Sequence, residues 1–110
     1  MKRIEAFIRP FTVDAVKSAL YDAGVQTIRI TDAKELTRAN TYAEVYRGVE
    51  YEVDVVPRVA TLVYVEDHEV DRIVAVITEA ARTESREDDG VITIASVDVV
   101  MSIDDAEIAD

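Results

Sequence analysis

Four arginines, Arg38, Arg58, Arg82 and Arg86, are the residues of this sequence best equipped to hold a ligand. A guanidinium stays charged at all working pH values and offers its donors in a planar fork that suits carboxylates and phosphates. Each of the four also suits an ordinary surface ion pair, for which acidic partners abound. His68 is the only histidine and sits among Glu66, Asp67 and Glu69. That setting fits a solvated surface histidine better than a metal ligand or general base. Asp88-Asp89 and Asp104-Asp105-Glu107 are carboxylate groups of the kind a hard cation uses, but neither has the spacing of a cation-binding loop. Glycine occurs only at 24, 48 and 90, so there is no glycine-rich cradle in which backbone amides approach a phosphate. Cysteine is absent, which removes thiol catalysis and thiolate metal sites. No nucleophile, base and acid form a set, and the expectation is a protein that is not an enzyme.

Net charge narrows the class further. The chain has 23 acidic and 12 basic residues over 110 positions, a formal charge of −11. Its only lysines are Lys2, Lys17 and Lys34; every other basic residue is arginine. A field of this sign repels phosphate backbones and anionic lipid, so neither nucleic acid nor a membrane is an expected partner. An acidic, lysine-poor surface suits a protein dissolved in concentrated salt. Met1-Lys2-Arg3-Ile4-Glu5 alternates like a strand and carries an acid where a signal peptide would turn apolar. A cytoplasmic, high-salt location is therefore expected, with no insertion into a membrane.

One domain is the natural organisation at this length. Residues 2–9 read as a strand, with Ile4, Ala6 and Ile8 on one face and Glu5, Phe7 and Arg9 on the other. Thr12 is placed to cap a helix whose apolar positions are Val13, Val16 and Leu20, and Gly24 is its stop. Residues 25–33 read as a second strand. Residues 36–56, with Tyr42, Tyr46 and Tyr51 among many charges, read as a long polar connection closed by Pro57. A third strand over 58–66 follows. Asp67 is placed to cap a second helix, with Val70, Ile73, Val74, Ile77 and Ala81 on one stripe. A charged turn over 83–90 precedes a fourth strand over 91–95. Alternation of Val97, Val99, Met101 and Ile103 predicts a short fifth, ahead of an acidic tail, 104–110. The order gives an α+β, ferredoxin-like split βαβ (βαββαβ) fold: an antiparallel sheet with two helices on one face.

Particular residues carry a resemblance to a known family. Met1 to Phe11, then Asp14, Val16, Ala19-Leu20, Gly24-Val25 and Thr31, are similar to the opening of a PII signal-transduction protein, the nitrogen regulatory protein P-II family. Glu44-Val45-Tyr46-Arg47-Gly48-Val49-Glu50-Tyr51 resembles the family's T-loop motif, and Ala80-Ala81-Arg82-Thr83 resembles the lead into its B-loop. The likeness implies a homotrimer with ATP or ADP, and often 2-oxoglutarate, bound in clefts between subunits. It implies regulation of ammonium transporters or glutamine synthetase through the T-loop, here about 36–56. Tyr46, Arg47, Gly48, Glu50 and Tyr51 are the implied contact residues, and Tyr51 the implied position of modification.

The chain also departs from the family pattern. The family's Gly-Phe-Gly-Arg-Gln before the T-loop motif is Glu35-Leu36-Thr37-Arg38-Ala39, and Ala39 has no ligand atom where the family has Gln. The B-loop, about 83–90, is Thr83-Glu84-Ser85-Arg86-Glu87-Asp88-Asp89-Gly90, where the family has lysines and more glycines. The two family arginines that clamp phosphates fall on Ser102 and Asp104. Weak or lost binding of ATP and ADP is expected, because the anion would meet acids in place of cations and amides. Arg38, Arg58, Arg82, Thr83, Arg86 and Gly90 are what remains to hold an anion, with Arg58, at the family's phosphate-side lysine, foremost. The alternative is a PII-like sensor of a different small ligand: another adenine nucleotide, bicarbonate or a metal ion.

Overall fold

The computed structural model describes residues 1–40 and 51–105, with the backbone alone described for 38–40 and 51–54. Four strands, β1 (Lys2–Ile8), β2 (Arg29–Asn40), β3 (Tyr51–Val65) and β4 (Gly90–Ser96), form one sheet in the order β2-β3-β1-β4. All three neighbouring pairs are antiparallel. Helices α1 (Val13–Asp22) and α2 (Val70–Ala81) make the two crossovers and lie side by side. Each crossover skips one strand, which is the split βαβ arrangement expected from the element order.

The core follows from the two periodicities in the sequence. Ile4, Ala6 and Ile8 of β1 face the helices, beside Val59, Val63 and Val65 of β3. Val16 and Leu20 of α1 and Ile73, Ile77 and Ala81 of α2 meet them. Ile4, Val16, Leu20 and Ile73 are fully buried, each such side chain contributing about 1.5–3 kcal/mol of apolar burial. The other sheet face carries Phe7, Ala60, Leu62, Tyr64 and Val91, and no helix covers it among the described residues.

Several boundaries differ from the expectation. β2 starts at Arg29 rather than at 25, because α1 ends in a hydrogen-bonded reversal. Gly24, at φ +94°, donates its N–H to Tyr21 O, and Val25 donates to Leu20 O. That is a Schellman closure, and it keeps Val25 out of the sheet. Neither helix has the expected side-chain cap. A 3₁₀ turn leads into each, at Pro10–Thr12 and Asp67–Glu69, and the Thr12 hydroxyl donates back to Arg9 O at 2.8 Å.

The polar connection over 36–56 is narrower than expected. The β2–β3 ladder runs from Arg29↔Leu62 out to Asn40↔Tyr51, so both flanks of that segment are strand. Pro57 pairs with Lys34 inside β3, beyond the last β1 pair, Ile8↔Val59. One side of β3 is without a ladder there, which is where a proline is tolerated. Residues 41–50, and with them Tyr46, Arg47, Gly48 and Glu50, lie outside the described residues.

The fifth strand does not form. Val97 donates its N–H to Met1 O at 3.1 Å, and residues 97–105 then continue without regular structure apart from a turn. Both sides of β1 are already paired, residues 97–105 join neither open sheet edge, that of β2 or that of β4, and Val99, Met101 and Ile103 stay exposed.

Candidate functional site

At the end of the sheet where β1 stops, the segment 82–90 folds back over two arginines. Arg58 enters from β3 and its side chain is only 2% exposed. Its Nε lies 3.2 Å from Glu35 Oε2, on β2. Its Nη1 donates to Asp88 O at 2.9 Å, and its Nη2 pairs with the Asp88 carboxylate. Arg9, just past β1, donates from Nε to the same Asp88 carbonyl at 2.8 Å and from Nη2 to Glu87 O. Arg9 also lies 6.0 Å from the Phe11 ring centroid, within reach of a cation–π contact.

The segment is closed on itself as well. Thr83 donates its N–H to Asp89 Oδ2 at 3.0 Å and its hydroxyl to Asp89 Oδ1 at 2.6 Å. Those two bonds hold the Asp89 carboxyl below the ordinary aspartate range, the hydroxyl being the larger cause. Arg86 and Asp88 adopt left-handed backbone, at φ 54° and 56°. Such conformations are costly for residues with a Cβ, about 1 kcal/mol or more, and persist where surrounding contacts fix them. Gly90, at φ +131°, opens β4 opposite Ile8. A Cβ there would stand 2.0 Å from Phe7 O, so only glycine lets β4 begin against β1.

The residues expected to hold an anion are thus divided. Arg58, Thr83 and Gly90 belong to one constellation, and the donors of the first two already face carboxylates and carbonyls of the chain itself. Arg82 and Arg86 are exposed and line an adjoining open recess of about 830 Å³, which Thr83 shares with Asp71, Glu79 and Glu84. The Arg38 backbone pairs with Val53 in the ribbon, away from Arg58. Tyr51 pairs with Asn40 at the ribbon's outer end. His68 is 80% exposed on the opposite side of the fold, 3.8 Å from Glu69 Oε1. Among the described residues no group of His, Cys, Asp and Glu is placed to hold a metal ion. Sequence reasoning missed Glu35 and Asp88 as partners of Arg58, and Arg9 as a second donor to the Asp88 carbonyl. Nothing local announces them: Asp88 is 30 positions away and meets Arg58 only through the sheet.

Chemically, the arrangement is an anion-recognition fork whose anion is supplied by the protein. A second concavity, of about 580 Å³, reaches Arg58 from the side of Pro10, Asp32, Lys34 and Pro57.

The sheet order and the paired helices define a ferredoxin-like domain, and solved structures share it. B. subtilis GlnK matches at a TM-score of 0.83 and 24% identity, over 96% of this chain and 92% of that one. Arabidopsis thaliana PII bound to citrate matches at a TM-score of 0.75 and 24% identity, over 96% and 85%. These likenesses speak to the fold. In sequence, the family model "Nitrogen regulatory protein P-II" matches residues 1–107. A nitrogen regulatory protein P-II of Azospirillum brasilense is 44% identical over 103 residues, 94% of this chain and 91% of the relative. One of Rhizobium meliloti is 42% identical over the same shares. The chain belongs to the nitrogen regulatory protein P-II family. The resemblance read from Tyr46 to Tyr51 and from Ala80 to Thr83 is confirmed at the level of the family. Among the described residues no helix is long and apolar enough to cross a membrane.

Proposed function

We propose that this protein is a P-II-type regulator, not an enzyme, which controls partner proteins through the tip of the β2–β3 ribbon. Family membership over residues 1–107 is the observation that carries the reading. The partners in view are an ammonium transporter or glutamine synthetase, and the contact residues are Tyr46, Arg47, Gly48, Glu50 and Tyr51. The ribbon supports this: its ladder continues beyond the last β1 pair, Ile8↔Val59, out to Asn40↔Tyr51. Assembly as a homotrimer is part of the reading. The uncovered face with Phe7, Leu62 and Val91, and the exposed Val99, Met101 and Ile103, offer apolar surface for it. The setting is a cytoplasm of high salt, consistent with the charge of −11.

Sensing of ATP, ADP and 2-oxoglutarate is weakened or lost in this reading. The contacts of Arg58 and Thr83 with Asp88 and Asp89 support it, since the donors an anion would need are engaged. The same contacts favour the second reading, a PII-like sensor of another adenine nucleotide, bicarbonate or a metal ion.

Affinity capture with the full chain in high KCl tests the first reading. Recovery of an ammonium transporter or glutamine synthetase, lost in Tyr51→Ala at unchanged melting temperature, is the expected result. Recovery of neither target, or a Tyr51→Ala chain that fails to fold, overturns it. Calorimetry with ATP, ADP, AMP, cyclic nucleotides and bicarbonate, with and without Mg²⁺ and 2-oxoglutarate, separates the two readings.

A further inference from the structure

We infer that Asp88 is a built-in anion, a carboxylate plug that occupies Arg58 and keeps small phosphate-bearing ligands from it. Three observations converge on it. Arg58 is a cation with its side chain 2% exposed, while the Asp88 side chain that covers it is 58% exposed. The plug therefore sits at the mouth, with one oxygen inward on the guanidinium and the rest in solvent. Second, Arg58 is not fully satisfied by what surrounds it. Its Nε is buried and has no hydrogen-bond partner of good geometry, although Glu35 lies near enough to pair by charge. A buried donor without a hydrogen bond is costly, so Arg58 keeps an unmet demand for an anionic acceptor. Third, the plug is held in place by its neighbours, against the cost of its own backbone conformation. Asp88 is left-handed at φ 56°, its carbonyl takes N–H donors from both Arg9 and Arg58, and the next residue is fastened to Thr83.

Those contacts make the segment behave as a tethered competitor. An outside anion must displace Asp88 to take the Nη1 and Nη2 donors of Arg58, and its apparent affinity there falls by the fraction of time the plug is open. The inference deepens the proposed loss of nucleotide sensing and rests on that reading for the class of ligand.

Inorganic pyrophosphate is a suitable probe, because it carries the phosphate charge without an adenine to confuse the result. The full chain and Asp88→Ser are titrated by calorimetry and by melting temperature, with KCl matching the ionic strength. The expected result is a saturable response in Asp88→Ser at least about tenfold tighter than in the unsubstituted chain, as a plug closed nine-tenths of the time or more would give. Adding Arg58→Gln to Asp88→Ser should abolish it. Equal affinity in both chains, or no binding to Asp88→Ser, overturns the plug. Should Asp88→Ser fold poorly, Asp88→Asn removes the charge and keeps an oxygen on Arg58. A smaller gain in the same direction is then expected, and no gain overturns the plug. A parallel ATP titration of the unsubstituted chain keeps the two ideas apart. Tight ATP binding there defeats the loss of sensing even if Asp88→Ser gains affinity for pyrophosphate. Weak ATP binding with no gain in Asp88→Ser defeats the plug alone.

Discussion

The Thr83 hydroxyl and backbone amide both end on one carboxylate, that of Asp89, at 2.6 and 3.0 Å. This ties the exit of α2 to the residue before β4 and closes the intervening loop without a glycine inside it. The relationship has a pH signature. The Asp89 carboxyl is held below its ordinary value of 3.8 by the charged form's hydrogen bonds. A depressed carboxyl contributes stability that is present above its unfolded value and disappears as pH falls through its folded one. Asp89→Asn should therefore melt below the unsubstituted chain at pH 7, and the gap should close as pH is lowered below about 4. Melting curves of both chains between pH 7 and pH 3 measure it; a gap of constant size would count against the contact.

Gly90 makes the sharpest prediction about the fold. Its φ of +131° and the 2.0 Å from a built Cβ to Phe7 O leave no room for a side chain. Gly90→Ala should destabilise the chain by about 3 kcal/mol, from backbone strain and displacement of β4 together. Denaturant unfolding checks this. A loss under about 1 kcal/mol would mean that β4 starts elsewhere.

Salt should stabilise this protein. With a charge of −11 in 110 residues, carboxylates repel one another at low ionic strength, and screening shortens the range of that repulsion. The melting temperature is expected to rise steadily from dilute buffer to molar KCl. A melting temperature independent of KCl would remove the case for adaptation to a high-salt cytoplasm.

Elements with one buried face are legible from residue order alone. The alternation of Ile4, Ala6 and Ile8 marks β1 to within a residue of its end, and the stripe from Val70 to Ala81 marks α2. Both patterns exist because one face must leave water, and the period names the backbone that lets it. The β2–β3 ribbon has no such constraint. Leu36 and Val55 face each other across it and remain 69% and 56% exposed, so its ladder leaves no pattern to read. Residues 97–103 fail in the opposite sense. Their alternation is strand-like, yet a strand needs a neighbour to bond, and among the described residues they pair with none.

Composition, the order of elements and the Tyr46-to-Tyr51 motif by themselves determined a small acidic α+β domain and its family. They also flagged Arg58 as a cation of interest. What Arg58 faces was decided by the tertiary structure alone. The antiparallel register brings Glu35 and Asp88 to it from two other parts of the chain, and the left-handed turn at Asp88 aims the carboxylate inward. A guanidinium looks the same in a sequence whether it awaits a ligand or already holds one. Local chemistry sets which groups can pair, but only the fold sets which of them come within about 3 Å, the reach at which a hydrogen bond forms.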